Sequence, residues 1–304
     1  MKMILYRWIQ MFLSSLKALN KSPNTIRSYR YDLKSFYRYV CQKSVSTNIS
    51  TEEFKTLCFD YLSALRNNNN VYKETSLNRK RTTLRSFIRF LAIVKYIEYD
   101  FSGEIKLSSS VRHLSPTILE EKEISTIIQI LMRRIQYAKD LDMVFIHRRN
   151  LLAFLTLFYT GIKVSELIKL KWGNVHENTH ELVVPKRKSI EVRRIPIPQS
   201  LVDEFIDFRQ FLTKLEHYDD SFLKGYIFFG VNRKPIYHLN AKTIERLIDS
   251  LANEANLTHK NITPHSLRHT MAYYSIQKNM PLSNLPRLLG HSRRSVTQYI
   301  YSPL

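Results

Sequence analysis

Apolar residues recur at helical spacing through the first hundred residues of the chain. In the opening stretch they fall three or four residues apart and predict an amphipathic first helix, with an inward stripe of Ile4, Leu5, Trp8, Ile9, Phe12, Leu13 and Leu16. Three further stretches repeat this period: SPNTIRSYRYDLKSFYRYV, STEEFKTLCFDYLSALR and SLNRKRTTLRSFIRFLAIVKY. Ser22 opens the first of them and either Ser50 or Thr51 caps the second, since hydroxyl side chains satisfy free N–H groups at helix starts.

The stretch YDFSGEIKLSSSVRHLSPT interrupts this helical pattern. It is polar and contains a glycine, a run of serines and a proline, which is typical of a linker between domains. We therefore predict a helical domain over residues 1–104, a linker over residues 105–118 and a second domain over residues 119–304.

The second domain shows mostly helical periodicity with one interruption. Apolar residues at helical spacing occupy LEEKEISTIIQILMRRI, HRRNLLAFLTLFYTG and several later stretches. Between them lie two short β-like runs, ELVVP and VRRIPIP, which are separated by the basic turn KRKSIE. The predicted fold class is mainly α, with a small antiparallel β-sheet in the second domain.

The excess of basic over acidic residues indicates a polyanionic partner. Lys and Arg number 47 against 26 Asp and Glu, so the formal net charge is +21. Nucleic acid is the first candidate partner and an anionic membrane surface is the second. The apolar run LLAFLTLFYTGI is shorter than the roughly 20 residues that a spanning helix needs, and the first helix lacks the pattern of a signal peptide. We therefore expect a cytoplasmic protein.

Several common classes of chemistry are disfavoured by the composition. The two cysteines, Cys41 and Cys58, lack metal-type spacing, and the six glycines form no Gly-rich phosphate loop. His265 and His269 lie four residues apart in HSLRHT and resemble half of a zinc site. The glutamate of a metalloprotease motif and a completing set of ligands are absent from the sequence, so we expect no metal.

Arg81, Arg85 and Arg89 lie four residues apart on the fourth predicted helix and form a continuous basic stripe. The ordinary interpretation of such a stripe is a solvated helix face. The stripe itself contains no acidic residue, so it lacks the alternating charges of a surface held by ion pairs. Together with the net charge, this favours contacts to the phosphate backbone of a nucleic acid.

Four separated segments of the second domain place cationic or imidazole groups beside a turn. They are TGIKVSEL, VVPKRKS, HSLRH and LGHS. His265 and Arg268 are three residues apart on a predicted helix and therefore share one face. His291 follows Gly290 at the expected start of another helix, where free N–H groups favour an anion.

Together with a tyrosine near the C-terminus, these segments resemble the motifs of the tyrosine recombinase (phage integrase) family in order and approximate spacing. The resemblance covers the second domain from about Leu119 onward. The N-terminal helices are similar to the helical core-binding (SAM-like) domain of that family, which implies a simple two-domain recombinase.

The resemblance assigns roles to individual residues. His265 and Arg268 match the His-x-x-Arg motif of the family, and His291 matches its third-position histidine or tryptophan. Lys188 fits the lysine of the β-turn, with Lys186 as a rival. In addition, Glu166 occupies the acidic position that buttresses the first motif.

Two tyrosines near the C-terminus compete for the role of nucleophile. Residues two apart on a helix point about 200° away from each other, so Tyr299 and Tyr301 cannot both face one phosphate. Tyr301 lies ten residues after His291, a spacing found among integrases of conjugative transposons, whose Val-Thr before the tyrosine recurs here. The resemblance therefore favours Tyr301, with Tyr299 as a packing residue or a neighbour of the phosphate.

Lys163 departs from the family pattern, because the first catalytic arginine of the family stands at this position. An arginine offers a planar fork that binds two phosphate oxygens, whereas a lysine is a point charge on a flexible stem. We expect the lysine to weaken the grip on the transition state by a few kcal/mol, the scale of losing one preorganised donor.

The resemblance implies a covalent mechanism that needs neither a metal nor ATP. Tyr301 attacks the scissile phosphorus and forms a 3′-phosphotyrosine, while Lys188 protonates the departing 5′-oxygen. Arg268 and Lys163 hold the nonbridging oxygens, and the two motif histidines donate hydrogen bonds and assist proton transfer.

Two functional hypotheses follow. The first is a site-specific recombinase that integrates, excises or resolves a mobile element or replicon, acting on double-stranded DNA in a prokaryotic cytoplasm, associated with the nucleoid. The family mechanism implies two protomers on each site and a tetrameric synapse. The second hypothesis is a DNA-binding protein of recombinase fold with weak or no catalysis, because Lys163 replaces the arginine. A type IB topoisomerase shares this chemistry but acts without a specific site.

Overall fold

Two compact units, Met1–His113 and Leu114–Leu304, make up the structure, a computed structural model. It describes residues 2–43, 49–67, 72–108, 116–185, 192–215, 220–231 and 237–290. Within the described part of the first unit, the apolar stripes fold into helices and one short 3-10 turn: α1 (Lys2–Ala18), α2 (Pro23–Cys41), α3 (Thr51–Asn67), α4 (Glu74–Ile93) and the turn Ser102–Glu104.

Helix starts in the first unit follow the predicted caps. The Oγ of Ser22 accepts the N–H of Thr25 at 3.0 Å at the start of α2. Of the two candidates before α3, Ser50 is the cap: its Oγ accepts the N–H of Glu53 at 3.2 Å. The N–H of Ser50 in turn donates to the carboxylate of Glu53 at 2.7 Å, so the two residues form a reciprocal capping box.

The four helices bury their apolar stripes in one core. Its members from the helices include Leu5, Ile9, Phe12, Leu33, Phe36, Phe54, Leu84, Phe87, Ile88 and Leu91. Phe101 and Ile105, which follow α4, are buried in the same core. The core of the first unit therefore includes Ile105, one residue beyond the predicted domain boundary at 104. An isolated apolar residue in a polar stretch forms no periodic pattern, so the sequence does not indicate this contact.

A buried ion pair joins α2 to α4. The side chains of Asp32 and Lys80 are each 2% exposed, and Lys80 Nζ lies 3.4 Å from one carboxylate oxygen of Asp32. The other oxygen accepts hydrogen bonds from Arg79 at 2.8 Å and from Thr83 at 3.0 Å. Desolvation lowers the pKa of Lys80, and attraction to Asp32 only partly offsets that effect.

The second unit is also mostly helical. Its described residues form α5 (Glu121–Gln136), α6 (Leu141–Thr160), α7 (Val164–Leu167), β1 (Val175–His176), β2 (Glu181–Pro185), β3 (Val192–Pro196), α8 (Gln199–Thr213), α9 (Ala241–Glu254), α10 (Pro264–Gln277) and α11 (Leu285–Leu289), with 3-10 turns at Trp172–Asn174 and Asp220–Lys224. Helix α6 begins earlier than its apolar run indicates, because the carboxylate of Asp140 accepts the N–H of Met143 at 2.7 Å and caps it there.

The sheet is antiparallel with the order β1-β2-β3. Strands β2 and β3 correspond to the two β-like runs, with Leu182 opposite Ile195 and Val184 opposite Arg193. Alternate residues of a strand share a face, so Arg193 projects on the same side of β3 as the buried Ile195, while Arg194 projects to the exposed side. Strand β1 has only two residues, too few to leave a periodic signal in the sequence.

Helix α6 lies at the centre of the second unit and packs against α5, α8 and α10. Gly161 ends it with a left-handed backbone (φ 59°), a conformation that glycine adopts without strain. The mainly helical fold with a small antiparallel sheet, which the sequence predicts, is confirmed.

Candidate active site

Lys163 is placed by the turn that follows α6. Gly161 reverses the chain, Ile162 is buried, and Lys163 becomes the residue before α7 with its side chain exposed. The N–H of Lys163 donates to Oε2 of Glu166 at 2.9 Å. The carboxylate at position 166 therefore fixes the backbone from which the Lys163 side chain extends.

Helix α10 carries the His-x-x-Arg motif at its first turns. Thr263 caps the helix by accepting the N–H of Ser266 at 3.3 Å, and Pro264 occupies the first helical position, where its missing N–H costs nothing. His265 and Arg268 follow within one turn. The ring of His265 meets the ring of His269 edge-on, with centroids 4.5 Å apart.

Arg268 is buried, with 1% of its surface exposed. Its Nη1 donates to the carbonyl oxygen of Gly161 and its Nη2 to that of Leu289, both at 2.6 Å. The guanidinium thus ties the end of α6 and the end of α11 to α10, and its position is fixed by backbone atoms of two distant segments.

These groups surround one cleft of about 430 Å³ in the second unit. Lys163, His265 and Arg268 all line it, although the lysine lies roughly a hundred residues before the other two in the sequence. Helix α9 also lines the cleft, with Lys242 and Glu245 and, one turn further along, Asp249. On the side of α7 and α10, an anion that enters this cleft meets the cations of Lys163 and Arg268 and the imidazole of His265, while α9 adds one lysine and two carboxylates to the lining.

The positive groups of the cleft change the protonation of their neighbours. Although part of its ring is exposed, partial desolvation lowers the pKa of His265, and the charges of Arg268 and Lys163 lower it further. The imidazole is therefore neutral at pH 7. Burial raises the pKa of Glu166, but the Arg193 guanidinium, together with the backbone N–H and the charge of Lys163, outweighs this effect, and the net pKa is lowered, so this carboxyl is ionised.

Two family models match the chain. The one described as the phage integrase family matches residues 117–303, and the one described as the phage integrase N-terminal SAM-like domain matches residues 9–93. The chain belongs to the phage integrase family. It is a tyrosine recombinase, an enzyme that cleaves and rejoins DNA strands, as the motifs predict.

Relatives of this phage integrase match nearly its whole length. The tyrosine recombinase XerC of Lacticaseibacillus casei is 30% identical over 287 residues, which cover 91% of this chain and 87% of the relative. The tyrosine recombinase XerA of Pyrococcus furiosus is 28% identical over 290 residues, with coverages of 95% and 87%. The post-cleavage complex of the XerH site-specific recombinase with a palindromic difH substrate has a TM-score of 0.72 at 18% identity, covering 94% of this chain and 78% of that one, so the two share a fold.

The remaining predicted catalytic residues of this integrase are not placed by the structure. Lys188 and its rival Lys186, His291, Tyr301 and its rival Tyr299 lie outside the described residues. Of the six predicted catalytic residues, the structure therefore brings together Lys163, His265 and Arg268, which line the single cleft described above. This family membership favours an active recombinase over the hypothesis of a non-catalytic DNA-binding protein.

Two features of the site were missed by sequence reasoning. Arg193 contacts Glu166 and Leu289, beside the first motif and the end of α11. A signal for it exists: an arginine two residues from a buried isoleucine on a short strand projects inward and needs an acidic partner. The second missed feature is the contribution of α9 to the cleft lining. The sequence gives no signal for it, because the exposed pair Lys242 and Glu245 (3.1 Å) resembles any surface ion pair three residues apart.

The basic stripe of α4 is more neutralised than its sequence suggests. Arg81 donates to Glu74 of the same helix at 2.6 Å and is only 12% exposed. Arg89 donates to Ser102 at 3.0 Å, and its Nε lies 3.8 Å from the carboxylate of Asp100. The stripe itself contains no acidic residue, but the carboxylate of Glu74, seven residues before Arg81 on the same helix, accepts a hydrogen bond from it. The stripe therefore carries less free positive charge than its sequence indicates. Arg85 pairs with no acidic side chain among the residues that the structure describes.

Within the described ranges, no three His, Cys, Asp or Glu side chains gather in a way that could hold a metal ion. Within the same ranges, no helix combines the length and apolar character needed to cross a membrane.

Proposed function

We propose that this recombinase holds the scissile phosphate of a specific DNA site in the cleft lined by Lys163, His265 and Arg268. The convergence of these three residues from distant segments supports the proposal. A phosphodiester is anionic and resists attack, so concentrated positive charge at fixed positions lowers the barrier to its cleavage. The buried guanidinium of Arg268 is such a fixed charge, since two backbone carbonyls orient it.

The assigned roles give a balanced reaction. The hydroxyl oxygen of Tyr301 attacks the phosphorus, and the bond from phosphorus to the 5′-oxygen breaks. Lys188 supplies the proton with which the 5′-oxygen leaves as a hydroxyl group. The neutral imidazole of His265 accepts the tyrosine proton, a role that its lowered pKa supports. The resulting 3′-phosphotyrosine preserves the phosphodiester bond energy, and a 5′-hydroxyl of another strand reverses the step.

Partners and place of action follow from this chemistry. The substrate is double-stranded DNA with a recombination site, bound by two protomers, and two such complexes join in a tetrameric synapse. The N-terminal unit also contributes to binding the duplex through the stripe Arg81, Arg85 and Arg89, in which Arg85 makes the main phosphate contact because Arg81 is paired with Glu74 and Arg89 with Asp100. The net charge of +21 supports a polyanionic partner. We place the enzyme in the cytoplasm of a prokaryote, at the nucleoid, where it moves or resolves a mobile element or replicon.

A covalent-trapping experiment tests the proposed function. A binding site is selected from a random duplex library with the Tyr301→Phe protein, and a suicide substrate is then made by nicking that site near the crossover point. We expect the unaltered chain to form a protein–DNA adduct that resists denaturation. Tyr301→Phe abolishes the adduct and Tyr299→Phe leaves it in place.

If Tyr299→Phe abolishes the adduct and Tyr301→Phe leaves it in place, the nucleophile is Tyr299. The absence of any adduct with the unaltered chain, on a substrate that it binds, contradicts the proposed catalysis. Mass photometry of the unaltered chain with intact duplex tests the assembly, and complexes of two and four protomers are expected. Complexes that never exceed two protomers contradict the synapse, and complexes that never exceed one contradict paired binding as well.

A further inference from the structure

Arg193 of β3 bridges two parts of the catalytic unit that the sequence separates widely. Its Nη2 donates to Oε2 of Glu166 at 2.9 Å, and its Nη1 donates to the carbonyl oxygen of Leu289 at 3.3 Å. The side chains of Arg193 and Glu166 are 11% and 22% exposed. Because both groups are mostly shielded from water, salt screens this pair less than it screens a surface ion pair.

One end of the bridge is the first motif. The same Oε2 of Glu166 that accepts from Arg193 also accepts the backbone N–H of Lys163 at 2.9 Å. The guanidinium is the larger of two influences that lower the pKa of Glu166 against the effect of burial, the other being Lys163 itself. Arg193 therefore favours the charged form of the group that fixes the backbone of Lys163.

The other end of the bridge is the turn after α11. The carbonyl of Leu289 accepts from Arg193 and also from Arg268, at 3.3 and 2.6 Å. Gly290, the next residue, has a left-handed backbone with φ 65°, and a Cβ there would lie 2.0 Å from Nη1 of Arg193. The close approach of the guanidinium is thus one physical reason why glycine stands at this position. The residue that follows it in the sequence is His291.

We propose that Arg193 is a positioning residue of the recombination reaction: it joins the carboxylate of Glu166 to the carbonyl of Leu289 and so sets Lys163 and the chain entering His291 relative to each other. The inference rests on the proposed function, because it assigns catalytic work to those two residues. Arg193 acts through its partners and not on the phosphate, since it donates to Glu166 and to the carbonyl of Leu289 and, unlike Arg268, is not among the residues that line the cleft.

The test uses Arg193→Gln, Glu166→Gln and the double variant of the full chain, with Arg194→Gln as the matched control. Arg194 is the next residue of the same strand and forms an ion pair of equal length, 2.9 Å, with Glu181 on the exposed side. Single-turnover adduct formation is measured on the suicide substrate at saturating protein, alongside affinity for intact duplex and the melting temperature.

We expect Arg193→Gln to slow cleavage about 100-fold, because a small misplacement of catalytic groups has an effect of that scale on the rate. Its DNA affinity and melting temperature stay close to those of Arg194→Gln. Glu166→Gln slows cleavage similarly, and the double variant is no slower than the worse single variant, because both changes remove one bridge. Loss of the guanidinium also raises the pKa of Glu166, so the acid limb of the rate–pH profile moves to higher pH in Arg193→Gln and disappears in the double variant.

Each other outcome overturns the proposal in a distinct way. If the rate losses of the two single variants multiply in the double variant, or if Arg193→Gln cleaves as fast as Arg194→Gln, the bridge has no role in catalysis. A weakened DNA affinity with a smaller salt dependence makes Arg193 a direct phosphate contact. If the unaltered chain forms no adduct at all, the proposed function fails first. The bridge is then judged without DNA by hydrogen exchange of the peptide Leu285–Gly290, which is faster in Arg193→Gln than in Arg194→Gln if the bridge holds the turn and equal if it does not.

Discussion

The guanidinium of Arg268 donates a 2.6 Å hydrogen bond to the carbonyl oxygen of Gly161, the residue that ends α6. A buried cation is stabilised when its donors meet well-placed acceptors, and here an acceptor is a backbone carbonyl that a left-handed glycine turns toward it. The orientation of the arginine of the His-x-x-Arg motif thus depends on the conformation of one glycine in another segment.

Gly161→Ala is predicted to impair both stability and cleavage. The φ of 59° disfavours any residue with a Cβ, and the added atom would lie 2.2 Å from the Cε of Met271, on the helix that carries Arg268. We expect a loss of about 1–3 kcal/mol in the free energy of unfolding, measured by urea denaturation. The rate of adduct formation falls as well. Gly173→Ala is the matched control, because no atom lies within 4 Å of its added Cβ.

Lys163→Arg is predicted to speed cleavage. The exposed lysine lines the cleft as a point charge, and an arginine there presents a fork to two phosphate oxygens at once. We expect single-turnover adduct formation to rise about tenfold, which corresponds to about 1.4 kcal/mol in the barrier. Lys169→Arg, an exposed lysine outside the cleft lining, serves as the control. Equal rates for all three proteins mean that the lysine is no handicap in this active site.

The sequence predicts the helices that bear the site residues better than it predicts the contacts between those helices. Apolar periodicity and caps at Ser22 and Ser50 predict the helices because these signals act over a few neighbouring residues. The motif residues His265 and Arg268 are visible for the same reason. The bond from Arg268 to Gly161 spans about a hundred positions, and no local pattern records which carbonyl a guanidinium will meet.

The neutral state of His265 gives a pH prediction. Desolvation, followed by the charges of Arg268 and Lys163, lowers the pKa, so we expect the imidazole in the free protein to titrate below its ordinary value of 6.5. Lys163→Gln removes one positive charge, and the titration midpoint therefore rises. The measurement is an NMR titration of the histidine ring signals, with the resonance of His265 assigned from its loss in His265→Gln. A midpoint at or above 6.5 in the unaltered free protein contradicts the electrostatic account of the cleft.

The basic stripe of α4 is predicted to act unevenly on DNA. Arg81 is mostly buried and its charge is largely cancelled by Glu74, whereas Arg85 has no acidic partner among the described residues. We expect Arg85→Gln to weaken DNA binding and to reduce the slope of log affinity against log salt by about 1, as for the loss of one phosphate contact. Arg81→Gln leaves the slope nearly unchanged. A larger change for Arg81→Gln than for Arg85→Gln shows that DNA displaces Glu74 from its arginine.

The buried pair of Asp32 and Lys80 makes the N-terminal unit sensitive to loss of a single charge. Asp32→Asn leaves the ammonium of Lys80 buried without its counter-ion, and we expect the unfolding transition of this unit to lose about 3–5 kcal/mol. Asp32→Asn with Lys80→Met removes both charges and recovers most of that loss, since no buried ion then remains to be desolvated. Urea unfolding of the full chain in a Trp172→Phe background, so that the fluorescence comes from Trp8 of α1 alone, measures both variants. A double variant as unstable as Asp32→Asn alone means that Asp32 stabilises the unit through Arg79 and Thr83, its other two partners, and not through the buried ammonium.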